Sequence, residues 1–146
     1  MSPDHLDWIR ETPPRWDEHK RTIVGGAPAG ALDAALDRGR HALDDLLPGE
    51  WWRVESDGVV AGYGWMDVVA GDAQIMLVVD PRQQGAGVGS FILTALDREA
   101  AARGLNYLYN VIRPTHPDPS RLRRWLTERG FSESGDDRLE RRVGRA

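Results

Sequence analysis

The middle of the chain sets short apolar runs between turn residues, the pattern of a strand meander. Trp51–Ser56 and Val59–Val68 flank Asp57-Gly58, a dipeptide that accepts the two positive φ angles of a tight hairpin. The turn Ala70-Gly71-Asp72 leads into a third strand, Ala73–Val79. The period then changes. Val88, Phe91, Ile92, Ala95 and Leu96 repeat at helical spacing, which predicts a helix over 88–103 stopped by Gly104. Leu105–Ile112 is strand-like again. Asp118 and Pro119 supply an N-cap and a first-turn proline for a helix over 119–129, buried through Leu122, Trp125 and Leu126 and closed by Gly130. Phe131–Glu133 and Leu139–Val143, around Ser134-Gly135-Asp136-Asp137, predict a last hairpin.

The N-terminal third reads as helices and loops. Trp16, Lys20, Ile23 and Val24 are spaced for a short helix after Pro13-Pro14. Beyond the glycine-rich 25–30, Leu32, Ala35, Leu36, Leu43, Leu46 and Leu47 form a helical stripe that Pro48-Gly49 ends. A strand–helix–strand unit set in a meander predicts an α+β fold: a mixed, mostly antiparallel sheet flanked by helices.

Composition narrows the chemistry. The 146 residues suit one domain over 1–146. Cysteine is absent, which excludes disulfides, thiolate metal sites and a cysteine nucleophile. No run has the length of a membrane helix, and Met1–Asp7 lacks the basic and apolar regions of a signal peptide, so a cytoplasmic protein with no membrane partner is expected. His5, His19 and His41 stand at no metal-ligand spacing, and no metal is expected. The net charge of −4 divides into −7 over residues 1–112 and +3 over 113–146. An acidic whole argues against non-specific nucleic-acid binding.

Ile75–Leu93 is the informative stretch. An apolar strand enters a glycine-rich turn, and the turn enters an amphipathic helix, the arrangement that presents backbone N–H groups to a phosphate. Two nucleotide motifs do not fit. The glycines at 85, 87 and 89 miss the dinucleotide spacing, and Gly89-Ser90 lacks the lysine of a P-loop. Arg82, Gly85 and Gly87 instead stand as Arg-x-x-Gly-x-Gly, after Val78-Val79-Asp80-Pro81, and Gly130-Phe131 follows the last helix. In these features, and in element order, the chain resembles the GNAT superfamily of N-acetyltransferases. The likeness is specific over about 73–131 and architectural before that.

The resemblance implies splayed central strands with the pantetheine of acetyl-CoA in the gap. It would lie against the cofactor strand at Leu77, Val78 and Val79, pairing with the main chain of Leu77 and Val79. The pyrophosphate would sit over Arg82, Gln83, Gln84, Gly85, Ala86, Gly87, Val88, Gly89 and Ser90. The implied reaction is direct transfer of an acetyl group to a primary amine, a small molecule or an exposed amino group. The chain also departs from the family. Leu126 stands where many members carry a proton-donating tyrosine, Pro119 where an asparagine often starts the last helix, and Asn110 nearest to a glutamate of strand five. Candidates for the catalytic groups are Asp72, His116, Tyr107 or Tyr109, and Asn110 itself. Tyr63, Trp65 and Asp67 share one strand face and form a candidate wall for a cationic acceptor. The losses keep a second reading open: a regulatory module that binds acyl-CoA without turnover. A third, a tRNA-bound acceptor, rests only on the arginine-rich C-terminus.

Overall fold

The computed structural model describes residues 5–25, 41–114 and 116–144. Seven strands form one sheet in the order β1-β2-β3-β4-β5-β7-β6. They are β1 (Leu6–Arg10), β2 (Glu50–Ser56), β3 (Val59–Val69), β4 (Asp72–Val79), β5 (Tyr107–Val111), β6 (Ser132–Glu133) and β7 (Arg138–Arg142). The helices are α1 (Glu18–Ile23), α2 (Val88–Ala102) and α3 (Pro119–Thr127). Every pairing is antiparallel except β4 with β5. This is the mixed, mostly antiparallel sheet expected. Among the described residues no helix is long and apolar enough to cross a membrane.

The turns follow from local chemistry. Asp57 and Gly58 take φ of 51° and 82°, the two left-handed positions of the β2–β3 hairpin. Asp118 caps α3 by accepting from the Arg121 N–H at 3.2 Å.

Two cores lie on opposite faces of the sheet. One, beneath α2 and α3, gathers Trp52, Met66, Ile75, Ile92, Leu96, Leu108, Leu126, Phe131 and Leu139. Gly64 permits its density, since a Cβ there would meet Trp8 Cη2 at 2.7 Å and Ile92 Cγ2 at 3.0 Å. The other gathers Trp16, Ile23, Val24 and Leu47 over Trp51, Tyr63, Trp65 and Met76. Lys20 is buried at its edge, with Nζ 2.6 Å from Glu11 Oε1, 3.2 Å from Asp17 Oδ2 and 2.7 Å from the Arg15 carbonyl.

The N-terminal expectation needs two corrections. Leu6–Arg10 is an edge strand, paired from Leu6↔Ser56 to Arg10↔Trp52. Trp8 stacks on Trp52 with centroids 5.3 Å apart, so cross-strand aromatic packing decides what the local pattern left open. The helix through Leu47 does not exist over 41–47, where the chain turns and Leu46 bridges Arg15. Leu43 and Leu46 are exposed there; the stripe's start, Leu32, Ala35 and Leu36, lies outside the described residues.

Candidate active site in the gap between two parallel strands

β4 and β5 are joined by only two rungs, Ala73↔Leu108 and Gln74↔Tyr109. Beyond them the strands part. In a strand, successive residues point their main-chain groups to alternate sides. The Asp80 N–H donates to the Ala61 carbonyl at 2.8 Å, so residues of its parity face β3. The Ile75 carbonyl faces the other way and accepts from Asn110 Nδ2 of β5 at 2.8 Å. Leu77 and Val79 share the parity of Ile75, and their main-chain groups open onto the gap. That is the unpaired edge an extended, amide-bearing ligand can join as an added strand.

The turn after β4 is set by Asp80, which is 4% exposed. Its Oδ1 accepts from the Arg82 N–H at 2.9 Å, and its two oxygens take the Arg82 guanidinium at 3.2 and 2.8 Å. These bonds from Arg82 hold the Asp80 carboxyl below the usual range, although burial opposes them. Pro81–Gln83 form a 3-10 turn. Gly85 and Gly87 follow at φ 85° and 81°, where any other residue is strained. The first α-helical bond runs from the Phe91 N–H to the Gly87 carbonyl at 3.0 Å, so the amides of Val88, Gly89 and Ser90 precede the helical ladder. They form the positive end of a fifteen-residue helix, suited to an anion.

α3 walls the third side. A Cβ on Gly89 would lie 3.3 Å from Trp125 Cζ2, so a glycine here lets the two helices close. The Arg129 guanidinium lies 3.8 Å from the Trp125 ring centroid and donates to Ser90 Oγ at 3.2 Å. Arg121 and His116 line the same space. His116 Nδ1 accepts from the Asp118 N–H at 2.9 Å. The neutral ring therefore carries its proton on Nε2 and acts there as a donor. Strand, turn and helix together enclose a cavity of about 600 Å³. A shallower depression beside it is lined by Ala86, Phe91 and Thr94.

The residues singled out from the sequence divide between two places. Leu77, Val78, Val79, Gln83, Gln84, Gly85, Gly87, Val88, Gly89 and Ser90 line the cavity, with Asn110 and His116. Arg82 does not; its side chain is 78% exposed and tied to Asp80. Asp72 and Tyr109 are on the opposite sheet face. Arg138 binds Asp72 Oδ2 at 3.1 Å and lies 3.8 Å over the Tyr109 ring. Burial is the main influence raising the Tyr109 phenol, with Arg138 opposing it. Asp67 is exposed, whereas Tyr63 and Trp65 are buried in the second core at 1% and 4% exposure. Sequence reasoning missed Arg129. Its spacing of four from Trp125, within the helix expected over 119–129, was the available signal.

Comparison with known proteins bears on this geometry. Residues 48–133 match the family described as acetyltransferase (GNAT) domain. A mycothiol acetyltransferase of Clavibacter michiganensis is 36% identical over 75 residues, which are 46% of this chain and 24% of that protein. The match thus spans about a quarter of that relative's length. Among solved structures, N-acetylglutamate synthase from Neisseria gonorrhoeae, complexed with coenzyme A and N-acetyl-glutamate, aligns with a TM-score of 0.68 and 18% identity. That alignment covers 99% of this chain and 36% of the other. The ribosomal-protein-S18-alanine N-acetyltransferase from Escherichia coli aligns at 0.54 with 21% identity, covering 66% of this chain and 70% of the other. At such identities the structures establish a shared fold.

Proposed function

The chain belongs to the GNAT family of acetyltransferases, and from that premise we propose that it transfers an acetyl group from acetyl-CoA to a primary amine by direct attack. Members of this family use acetyl-CoA. The observation that carries the reading is the gap beyond Gln74↔Tyr109, continuous with the amino end of α2 through one cavity. Pantetheine would pair with the main chain of Leu77 and Val79, and the pyrophosphate would meet the amides of Val88, Gly89 and Ser90. Arg129 and Arg121 would supply the positive charge, since Arg82 is already engaged by Asp80.

The chemistry is carried mainly by positioning. The amine nitrogen bonds to the thioester carbon, and the carbon–sulfur bond breaks with its electron pair on sulfur. The amine's proton leaves to water and the thiolate takes one up. No cysteine is present to hold the acyl group between steps. A main-chain N–H that the cofactor strand turns into the gap would bind the developing oxyanion, which leaves out Val78, whose main chain faces β3. His116 Nε2–H is a donor placed at the cavity, whereas Asp72 is held in an ion pair by Arg138 on the other face. The amine would approach from the opposite face, where Asp67 and the acidic residues of 1–112 favour a cation. A cytoplasmic location and a single catalytic domain go with this reading.

One observation favours the non-catalytic alternative: Leu126, 2% exposed, fills the tyrosine position. Two measurements separate the readings. Titration calorimetry should show acetyl-CoA binding, and an amine panel assayed for free thiol should show release above the no-amine rate. Binding without amine-dependent release supports the regulatory module. No binding of any acyl-CoA at millimolar concentration overturns both.

A further inference from the structure

The gap has a floor, and its floor is a side chain. Asn110 is 8% exposed and sits one residue past the last β4–β5 rung. Its amide spans the opening strands to reach the Ile75 carbonyl at 2.8 Å. A carbonyl oxygen only accepts, so the nitrogen of the amide must face Ile75 and the orientation is fixed. Oδ1 is left buried, with no hydrogen-bond partner among the described residues. Buried side-chain oxygens are rarely left so. Asn110 lines the same cavity as Leu122, Trp125 and Leu126, on the α3 side of the sheet.

We propose that Asn110 is a cofactor-positioning residue whose Oδ1 accepts the N–H of the pantetheine amide nearest the thioester of acetyl-CoA. The proposal rests on the acyl-CoA reading above and deepens it. Nδ2 occupies the Ile75 carbonyl, the first carbonyl turned toward β5 beyond the last rung. An added strand therefore cannot pair there and begins at Leu77. The inner end of the pantetheine arm stops against Asn110, with Oδ1 the free acceptor at that depth. A carboxylate at this position would lack the donor for Ile75 and could not close the fork in this way. Asn110 thus sets how deeply the thioester enters, through one donated and one accepted bond.

Calorimetry on the full chain tests this with two probes, coenzyme A and adenosine 3′,5′-bisphosphate, which lacks pantetheine. Asn110→Ala should weaken coenzyme A binding by about three- to tenfold and leave the bisphosphate unchanged. In the wild type, the Asn110 side-chain amide resonances should shift with coenzyme A and stay fixed with the bisphosphate; this second reading does not require the variant to fold. Unaltered coenzyme A affinity in Asn110→Ala overturns the proposal. So do equal losses for both probes, which would make Asn110 a fold-holding residue only. Retained coenzyme A affinity with lost acetyl transfer also overturns it, by moving the contact to the acceptor. A wild type that binds the bisphosphate but not coenzyme A would instead defeat the acyl-CoA reading itself.

Discussion

Gly87→Glu places a carboxylate where the pyrophosphate is expected, and the structure allows its two costs to be separated. Gly87 has φ of 81°, so any side chain is strained there by about 1–2 kcal/mol. A Cβ at Gly87 meets nothing within 4 Å, so steric overlap within the protein adds nothing. Gly87→Ala carries the same backbone strain without charge, and the two variants should lose similar stability in urea unfolding. The Glu carboxylate adds repulsion. For unit charges about 6 Å apart this is about 0.7 kcal/mol at the dielectric of water and about 2.8 kcal/mol at an effective value near 20. Acetyl-CoA should therefore bind Gly87→Glu between about threefold and a hundredfold more weakly than Gly87→Ala. The difference should shrink in high salt, because the turn is exposed. Calorimetry at two ionic strengths reads both effects. Equal affinity of the two variants would show that no anion sits over this turn and would refute the placement of the cofactor.

Arg129→Ala should weaken coenzyme A binding by about 0.5–1.5 kcal/mol with little loss of stability. Arg82→Ala should act mainly on stability, since it strips the guanidinium from buried Asp80; the reverse pattern in calorimetry and urea unfolding would exchange their roles. Lys20→Met leaves Glu11, 8% exposed at its side chain, without its main partner, and should cost about 3–5 kcal/mol in urea unfolding; a loss under about 1 kcal/mol would mean that Arg53, whose guanidinium lies 3.5 Å from Glu11 Oε2, alone satisfies Glu11. The Tyr63 phenol is pushed up chiefly by burial and further by Asp17 and Glu11. The unfolded chain ionises first, near pH 10. The stability from Tyr63 is therefore complete below about pH 10 and is lost as pH rises toward the raised value. Absorbance titration should show the Tyr63 phenolate only with unfolding, and its appearance in the folded protein would contradict the burial.

What the sequence determined by itself is what neighbouring residues decide among themselves. The meander β2–β4, helices α2 and α3 and the last hairpin lie within two residues of their expected bounds. Their periods, turn glycines and the Asp118 cap are local properties. The glycine turn between β4 and α2 was legible for the same reason: strand, glycines and helix are contiguous. Pairing between distant segments was not legible. Leu6–Arg10 becomes a strand only because β2 offers it an edge, and Trp8 is fixed by Trp52, 44 positions away. Asp72 reads as a free base until β7 brings Arg138 to it across 66 positions. Tyr63 and Trp65 read as a binding wall until α1 and the chain around Leu47 bury them. Asn110 reads as a lost glutamate, and only the parting of β4 from β5 turns it into a bolt across the gap. Local spacing selects the elements, whereas the charge state, burial and reach of a side chain depend on which other element the sheet order places beside it.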